Sequence, residues 1–317
     1  MSDPIALSRI EDAYAAISYV FRDSPQYESE SLSHLLGASL VIKLETANPI
    51  GSFKGRGADW WAKNNPEIRD IVCVSAGNFG QGMAYAARAH GAALHVFAAT
   101  GANPGKVEAM KRFGAKVHQP ADNYADSGRA AKAFAARNGF HFLLDGEAPE
   151  ITEGAGTIGK ELASFPEPID VVFVPVGDGA LINGIGTWFK GHSPATRIVG
   201  VCAAGAPAMY QSWKAGKVIS TKRTDTIADG IAISEPIPTS VALMRKTTDD
   251  IVLIDDTDTI AAMRLLFQSE HIVAEPAGAI ALAAALAQKD RIQGQRVAVI
   301  VTGANIQAES APRWLFE

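Results

Sequence analysis

Cysteine is scarce in this chain, basic charge is not in excess, and no long apolar run occurs; each absence removes a class of protein. The two cysteines, Cys73 and Cys202, lie alone in apolar, strand-like stretches. A disulfide framework or a cysteine-rich zinc site needs more, so a reducing, cytoplasmic setting is expected. Lysine and arginine number 29 against 34 aspartates and glutamates, a formal net charge of -5. A general nucleic-acid binder carries a basic balance or a basic stripe, and none is expected to bind here. No uninterrupted apolar stretch reaches about 18 residues, so no segment is expected to span a membrane. The opening Met1-Ser2-Asp3-Pro4 is acidic and leads no apolar core, so no secretory leader is expected. Internal repeats, low-complexity tracts and long charge runs are missing too. What is plentiful is apolar residue, 47% of 317 residues, enough to build a sizeable core and to exclude global disorder. At roughly 100–200 residues per domain, about two domains are expected.

Short apolar runs alternate with helical stretches from about residue 70. Ile71-Val72-Cys73-Val74, Leu94-His95-Val96-Phe97, Lys116-Val117-His118 and Phe140-His141-Phe142-Leu143 read as strands. Helices are expected at 80–90, 106–113 and about 126–137. A second series begins near 150, with strands at 170–176, 197–202, 251–254 and 296–301. Its helices are expected at 181–190, 206–214, about 258–269 and 276–288. An N-terminal helix from Ser8 to Tyr19 is expected, with Ser8 as its cap. Strand–helix alternation implies parallel strands with crossover helices, hence an α/β protein of two open lobes divided near 145–150.

Ligands of open α/β sheets sit beyond the carboxyl ends of strands. Three glycine-rich turns occupy that position: Ser75 to Gly82 after Val74, Gly177 to Gly184 after Val176, and Thr302 to Asn305 after Val301. Glycines let backbone approach a ligand, and a following helix aims free N–H groups at an anion. The second turn is not a dinucleotide fingerprint. Its third glycine should fall at 182, which is Ile182, and no acidic residue lies near 200 to hold a ribose. No Walker-type sequence occurs. A fourth element, Lys43 to Ala58, contains Lys54 among Gly, Ser and Phe rather than on a charged helix face. Near an apolar pocket the ammonium is disfavoured, and the neutral amine is a nucleophile toward carbonyls.

Together, GSFKGRGA at 51–58, SAGNFGQGMAYAARAHG from Ser75, VPVGDGALINGI from Val174, EPAGAIALAAAL from Glu275 and VTGAN from Val301 resemble the ordered motifs of the fold-type II pyridoxal-phosphate enzymes. The nearest resemblance is to the threonine/serine dehydratases and serine racemases, over about residues 24–306. It implies a tryptophan synthase β-like fold, with 1–66 and 147–317 forming a large cofactor-binding domain and 67–146 a small one. It implies pyridoxal 5'-phosphate as cofactor, held by Lys54 as a Schiff base, with Lys54 later the base at Cα. Phe53 would flank the phosphate, which Gly177, Asp178, Gly179, Ala180 and Leu181 would wrap. Asn78 would meet the phenolic oxygen and Thr302 the pyridine nitrogen. Ser75, Ala76, Gly77, Asn78 and Phe79 would hold the substrate carboxylate. Asp229 and Glu275 match family positions around the site.

The activity implied is β-elimination from a threonine- or serine-like β-hydroxy amino acid, giving a 2-oxo acid and ammonia. A neutral Thr302 hydroxyl cannot protonate the ring nitrogen, which favours prompt loss of a β-substituent over transamination. Ala76 stands where serine racemases carry a second serine, so weak or absent racemisation is expected. Val201 to Ala208 holds no carboxylate, so the divalent-cation site of some relatives is not expected. β-Replacement is the alternative, because Asn48-Pro49 and Phe79 resemble threonine and cysteine synthases. A catalytically silent cofactor-binding protein is a second alternative, because Asp178 and Ala180 interrupt the usual glycine run. A homodimer is implied by the family. The sequence ends at 317 without the regulatory domain of biosynthetic threonine deaminases, so feedback inhibition through one is not expected.

Overall fold

The computed structural model describes residues 5–317; Met1–Pro4, read above as too acidic for a leader, lie outside the described residues. In chain order the N-terminal portion runs α1 (Leu7–Ala16), β1 (Gln26–Ser29), α2 (Glu30–Leu36), β2 (Ser39–Leu44) and α3 (Lys54–Asn64). Then come β3 (Asp70–Val74), α4 (Asn78–Ala89), β4 (Ala93–Ala99), α5 (Pro104–Arg112), β5 (Lys116–Ala121), α6 (Tyr124–Asn138) and β6 (His141–Leu143). The next stretch is α7 (Pro149–Leu162), β7 (Val171–Pro175), α8 (Ala180–His192), β8 (Arg197–Ala203) and α9 (Ala208–Ala215). Last are α10 (Pro238–Thr247), β9 (Asp250–Ile254), α11 (Asp256–Glu270), α12 (Pro276–Ala287), β10 (Arg296–Val301) and α13 (Ala311–Phe316).

The strands form two sheets. The larger has the order β1-β2-β10-β7-β8-β9, and the smaller β5-β4-β3-β6. All pairs are parallel except β1 with β2. β7, β8 and β10 are buried on both faces, which is why they read as continuous apolar runs rather than alternating ones. Full burial of each such Val, Ile, Leu or Phe side chain contributes about 1.5–3 kcal/mol. α12 is buried all round, and its alanines let it lie close against the larger sheet.

The expected N-terminal cap is corrected here. α1 begins at Leu7 after Ala6, and no side chain caps it; Ser8 lies inside the helix. The helix also ends at Ala16, three residues short of Tyr19. The first two strands had not been expected at all. They join the larger sheet, so the chain crosses to the smaller sheet and returns.

Two features of the larger body fix α3. Gly57 and Gly154 let α3 and α7 touch backbone to backbone: a Cβ on Gly154 would fall 2.5 Å from Gly57 Cα. Behind α3 lies a closed ionic network. The guanidinium of Arg56, fully buried, forks onto Glu45 at 2.8 and 2.9 Å and onto Glu161 at 2.6 and 2.8 Å. Lys43, also fully buried, donates to Glu161 at 2.5 Å and to the Ser24 carbonyl at 2.8 Å. Two cations thus face two anions. Burial pushes the Glu161 carboxyl up, but Arg56 and Lys43 outweigh it and hold the group below its ordinary value.

Candidate active site

In each sheet, strand order reverses at one point where crossover connections leave in opposite directions. In the larger sheet this falls between β10 and β7, in the smaller between β3 and β6. Such switch points open a crevice beyond the carboxyl ends of the strands. The residues that follow the four strands are Thr302, the turn at 177–179, Ser75 and Asp145.

Lys54 starts α3 at this crevice. The preceding turn is pinned to the end of β10, where Phe53 N–H donates to the Thr302 carbonyl at 3.1 Å and Ser52 bridges Gly303. The Lys54 amine lies 5.0 Å from the Phe53 ring centroid, and its side chain is only 11% exposed. It donates to Asp145 Oδ2 at 2.6 Å and to Asp178 Oδ2 at 3.1 Å. Burial works against the ammonium, but the two carboxylates outweigh it and hold the amine well above its ordinary range. An apolar surrounding was expected to disfavour the ammonium; instead the acid pair favours it.

The pair is asymmetric. Asp178 Oδ1 also accepts the Ala180 N–H at 2.8 Å, at the N-terminus of α8. Burial lifts this carboxyl, yet Lys54, Asp145 and the amide together hold it below its ordinary value. Asp145 has no amide donor, and its Oδ1 is buried without a hydrogen-bond partner. Burial first, then the charge of Asp178, push it up to about 8 despite Lys54.

The turn at 177–181 is an anion cradle. Gly179 adopts φ +97, and a Cβ there would lie 2.1 Å from Ser240 Oγ, so only glycine fits. The first helical bond of α8 runs from Asn183 N–H to the Gly179 carbonyl, leaving the earlier amides outside the ladder. One of them already holds an anion, the Asp178 carboxylate. Asp178 therefore does not intrude on the turn as bare repulsion, because its charge is shared between Lys54 and the helix terminus. An anion-accepting helix start beside a buried lysine amine fits a phosphorylated aldehyde such as pyridoxal phosphate.

On the opposite wall, Ser75 Oγ accepts the N–H groups of Gly77 at 3.1 Å and Gly80 at 2.9 Å, capping α4. Nothing lies within 4 Å of a Cβ built on Gly77, so the turn faces open space. The Phe79 side chain is buried in the core of the smaller lobe, with its ring centroid 6.0 Å from the Lys54 amine. Asn78 donates to Glu275 Oε1 at 2.5 Å and accepts from Asn305 at 2.8 Å. The Thr302 hydroxyl, 5% exposed as a residue, donates to the Ala277 carbonyl at 3.2 Å. Lys106 of α5, almost fully buried, reaches across the crevice to Asp229 at 2.9 Å and Glu275 at 3.4 Å.

The structure thus gathers Lys54, Phe53, Asp178 and the glycine turn at one side of the crevice, with the Ser75 turn, Asn78 and Thr302 nearby. Sequence reading missed Asp145 and Lys106. Asp145 had a signal: it is a carboxylate two residues past a strand that ends at a switch point.

Comparison with known proteins agrees with this geometry. A family profile described as pyridoxal-phosphate dependent enzyme matches residues 17–303. A biosynthetic L-threonine dehydratase of Halalkalibacterium halodurans is 33% identical over 94% of this chain and 74% of its own. An L-threo-3-hydroxyaspartate ammonia-lyase of a Pseudomonas species is 30% identical over 90% of this chain and 91% of its own. Among solved structures, the threonine deaminase of T.th. superposes with a TM-score of 0.91 at 30% identity, covering 95% of this chain and 98% of that one. Maize serine racemase superposes with a TM-score of 0.91 at 27% identity, covering 98% and 96%. With its motifs, two-sheet architecture and lysine-centred crevice, the chain belongs to the family of pyridoxal-phosphate dependent enzymes.

Proposed function

We propose that this protein is a lyase that eliminates water from a threonine- or serine-like β-hydroxy amino acid and yields a 2-oxo acid and ammonia. The observation that carries it is the buried amine of Lys54, set between an anion-accepting helix start and the open Ser75 turn. Relatives 33% and 30% identical, a threonine dehydratase and a hydroxyaspartate ammonia-lyase, support it.

In this proposal Lys54 would hold the cofactor through its amine, backbone amides of 177–181 would hold the phosphate with Phe53 beside it, and Asn78 and Thr302 would hold the ring's phenolic oxygen and nitrogen. Bound there, pyridoxal phosphate supplies an electron sink for the bond broken at Cα. Lys54, once neutral, takes the α-proton. Residues 75–79 hold the substrate carboxylate through backbone N–H groups and the Ser75 hydroxyl. Because Ser75 Oγ already accepts two amides, its own O–H is the group left to donate. Ala76 offers no ionisable proton, so the α-carbon is not reprotonated from its side. Residues 1–66 with 147–317 serve as the large domain and 67–146 as the small one. A cytoplasmic homodimer is the proposed form.

The test is a panel of β-hydroxy amino acids (L-serine, L-threonine, a hydroxyaspartate, an aryl-serine) assayed for 2-oxo acid. At least one should be converted, with ammonia in equal amount. A substituted amino acid formed only when a thiol is added would favour β-replacement instead. Substantial D-serine recovered from L-serine would overturn the role given to Ala76.

A further inference from the structure

Departure of a hydroxyl needs a proton, and the crevice contains a group placed to give it. We propose that Asp145 is a catalytic acid: its carboxyl group, 2.6 Å from Lys54 Nζ, donates the proton with which the substrate's β-hydroxyl leaves as water. This role rests on the elimination proposed above.

Charge balance supplies the first reason. Two carboxylates contact one ammonium, so the trio carries one net negative charge. Lys54 can act as nucleophile or base only after losing its proton. Two neighbouring carboxylates cannot then both stay ionised in a buried site, and one of them takes up a proton. A phosphate in the 177–181 turn adds negative charge and pushes the same way.

The second reason decides which carboxyl takes it. Asp178 is held ionised by the Ala180 amide at the start of α8, where the helix dipole favours an anion. Asp145 has no such donor, and its second oxygen is buried and unpaired. Pairs of acids pushed apart in this way divide into an ionised partner and an acid. The other groups facing Asp145 do not compete. Cys73 of β3 is held neutral, by burial first, and the phenol of Tyr124, an exposed residue at the start of α6, is pushed up rather than down.

The step balances. The Cα–H bond breaks and its proton goes to Lys54 Nζ. The Cα=Cβ bond forms as the Cβ–O bond breaks, and the electron pair of that bond leaves on oxygen. The Asp145 carboxyl proton joins that oxygen to give water, and Asp145 becomes a carboxylate. Lys54 and Asp145 touch, so the returning proton has a direct path between them.

The test compares leaving groups in the holoenzyme. Chloride departs without protonation and hydroxide does not. In Asp145→Asn, kcat for the best β-hydroxy substrate should fall about 100-fold or more, within the usual range for a general acid. Turnover of β-chloro-L-alanine should fall less than about threefold by the same reasoning. In the wild type the hydroxy substrate should lose rate as pH rises through about 8, and Asp145→Asn should lack that limb. A carboxylic-acid C=O band should appear in the infrared spectrum of the resting holoenzyme near neutral pH and vanish in Asp145→Asn. Equal losses on both substrates would overturn the role, because Asp145 would then only position Lys54. A leaving-group-dependent loss in Asp178→Asn but not in Asp145→Asn would overturn it as well. Wild type that eliminates chloride but converts no β-hydroxy amino acid would instead sink the dehydratase reading, and this role with it.

Discussion

Replacing Arg56 by methionine should reveal what holds the catalytic lysine in place. The side chain is fully buried, and its guanidinium makes six hydrogen bonds: two to Glu45, two to Glu161, and one each to Thr157 and Ser24. Methionine keeps much of the aliphatic volume but removes a cation from a balanced set of two cations and two anions. Glu45 and Glu161 would then share Lys43 alone. Breaking a buried pair by deleting one partner costs about 3–5 kcal/mol. For a chain of this length that corresponds to a fall in melting temperature of about 5–8 °C. Thermal unfolding at saturating cofactor, wild type beside variant at one scan rate, reads this directly. The pH dependence separates lost charge from lost packing. In the wild type, Glu161 sits below its ordinary value, so it contributes stability at neutral pH that disappears as acid protonates it. In the variant at least one of the two carboxyls moves above its ordinary value, so stability should fall between about pH 5 and about pH 8. A melting temperature within about 2 °C of wild type, or an unchanged pH trend, would refute the assignment of α3's support to this network.

Two further substitutions probe the site. Gly179→Ala meets both a positive φ of +97 and a Cβ 2.1 Å from Ser240 Oγ, so the turn must shift. Pyridoxal phosphate affinity, followed by absorbance titration of the apoprotein, should weaken at least about tenfold, the equivalent of about 1.4 kcal/mol. Lys106→Met leaves Glu275 buried beside only Asn78, at a cost of about 1–3 kcal/mol in unfolding free energy. Lys106→Met with Glu275→Gln should recover most of that loss in denaturant unfolding, because the stranded charge is gone.

The two-lobe α/β plan was legible because buried parallel strands are apolar without interruption, as at Val171–Pro175 and Arg296–Val301. β1 and β2 were hidden. β1, Gln26–Ser29, is a four-residue edge strand of polar character. β2 carries Lys43, whose charge breaks the apolar run, although the side chain is buried and paired. α7 was hidden for the same reason, since Glu153, Thr157 and Glu161 occupy its buried face where apolar residues are expected. Lys54 and the glycine turns were legible as local patterns. The ion pair with Asp145 spans 91 positions in the chain, and no local spacing records it. Asp178 read as an interruption because its partner was out of sight in the sequence.

The seam between Gly57 and Gly154 bears on how this protein tolerates change. At that seam no side chain separates α3 from α7, so the start of the amine's helix is registered against main chain there as well as through the Arg56 network. Residues around the mouth of the crevice are therefore free to drift in size and polarity, and to accept new substrates, while the reactive nitrogen stays where it is.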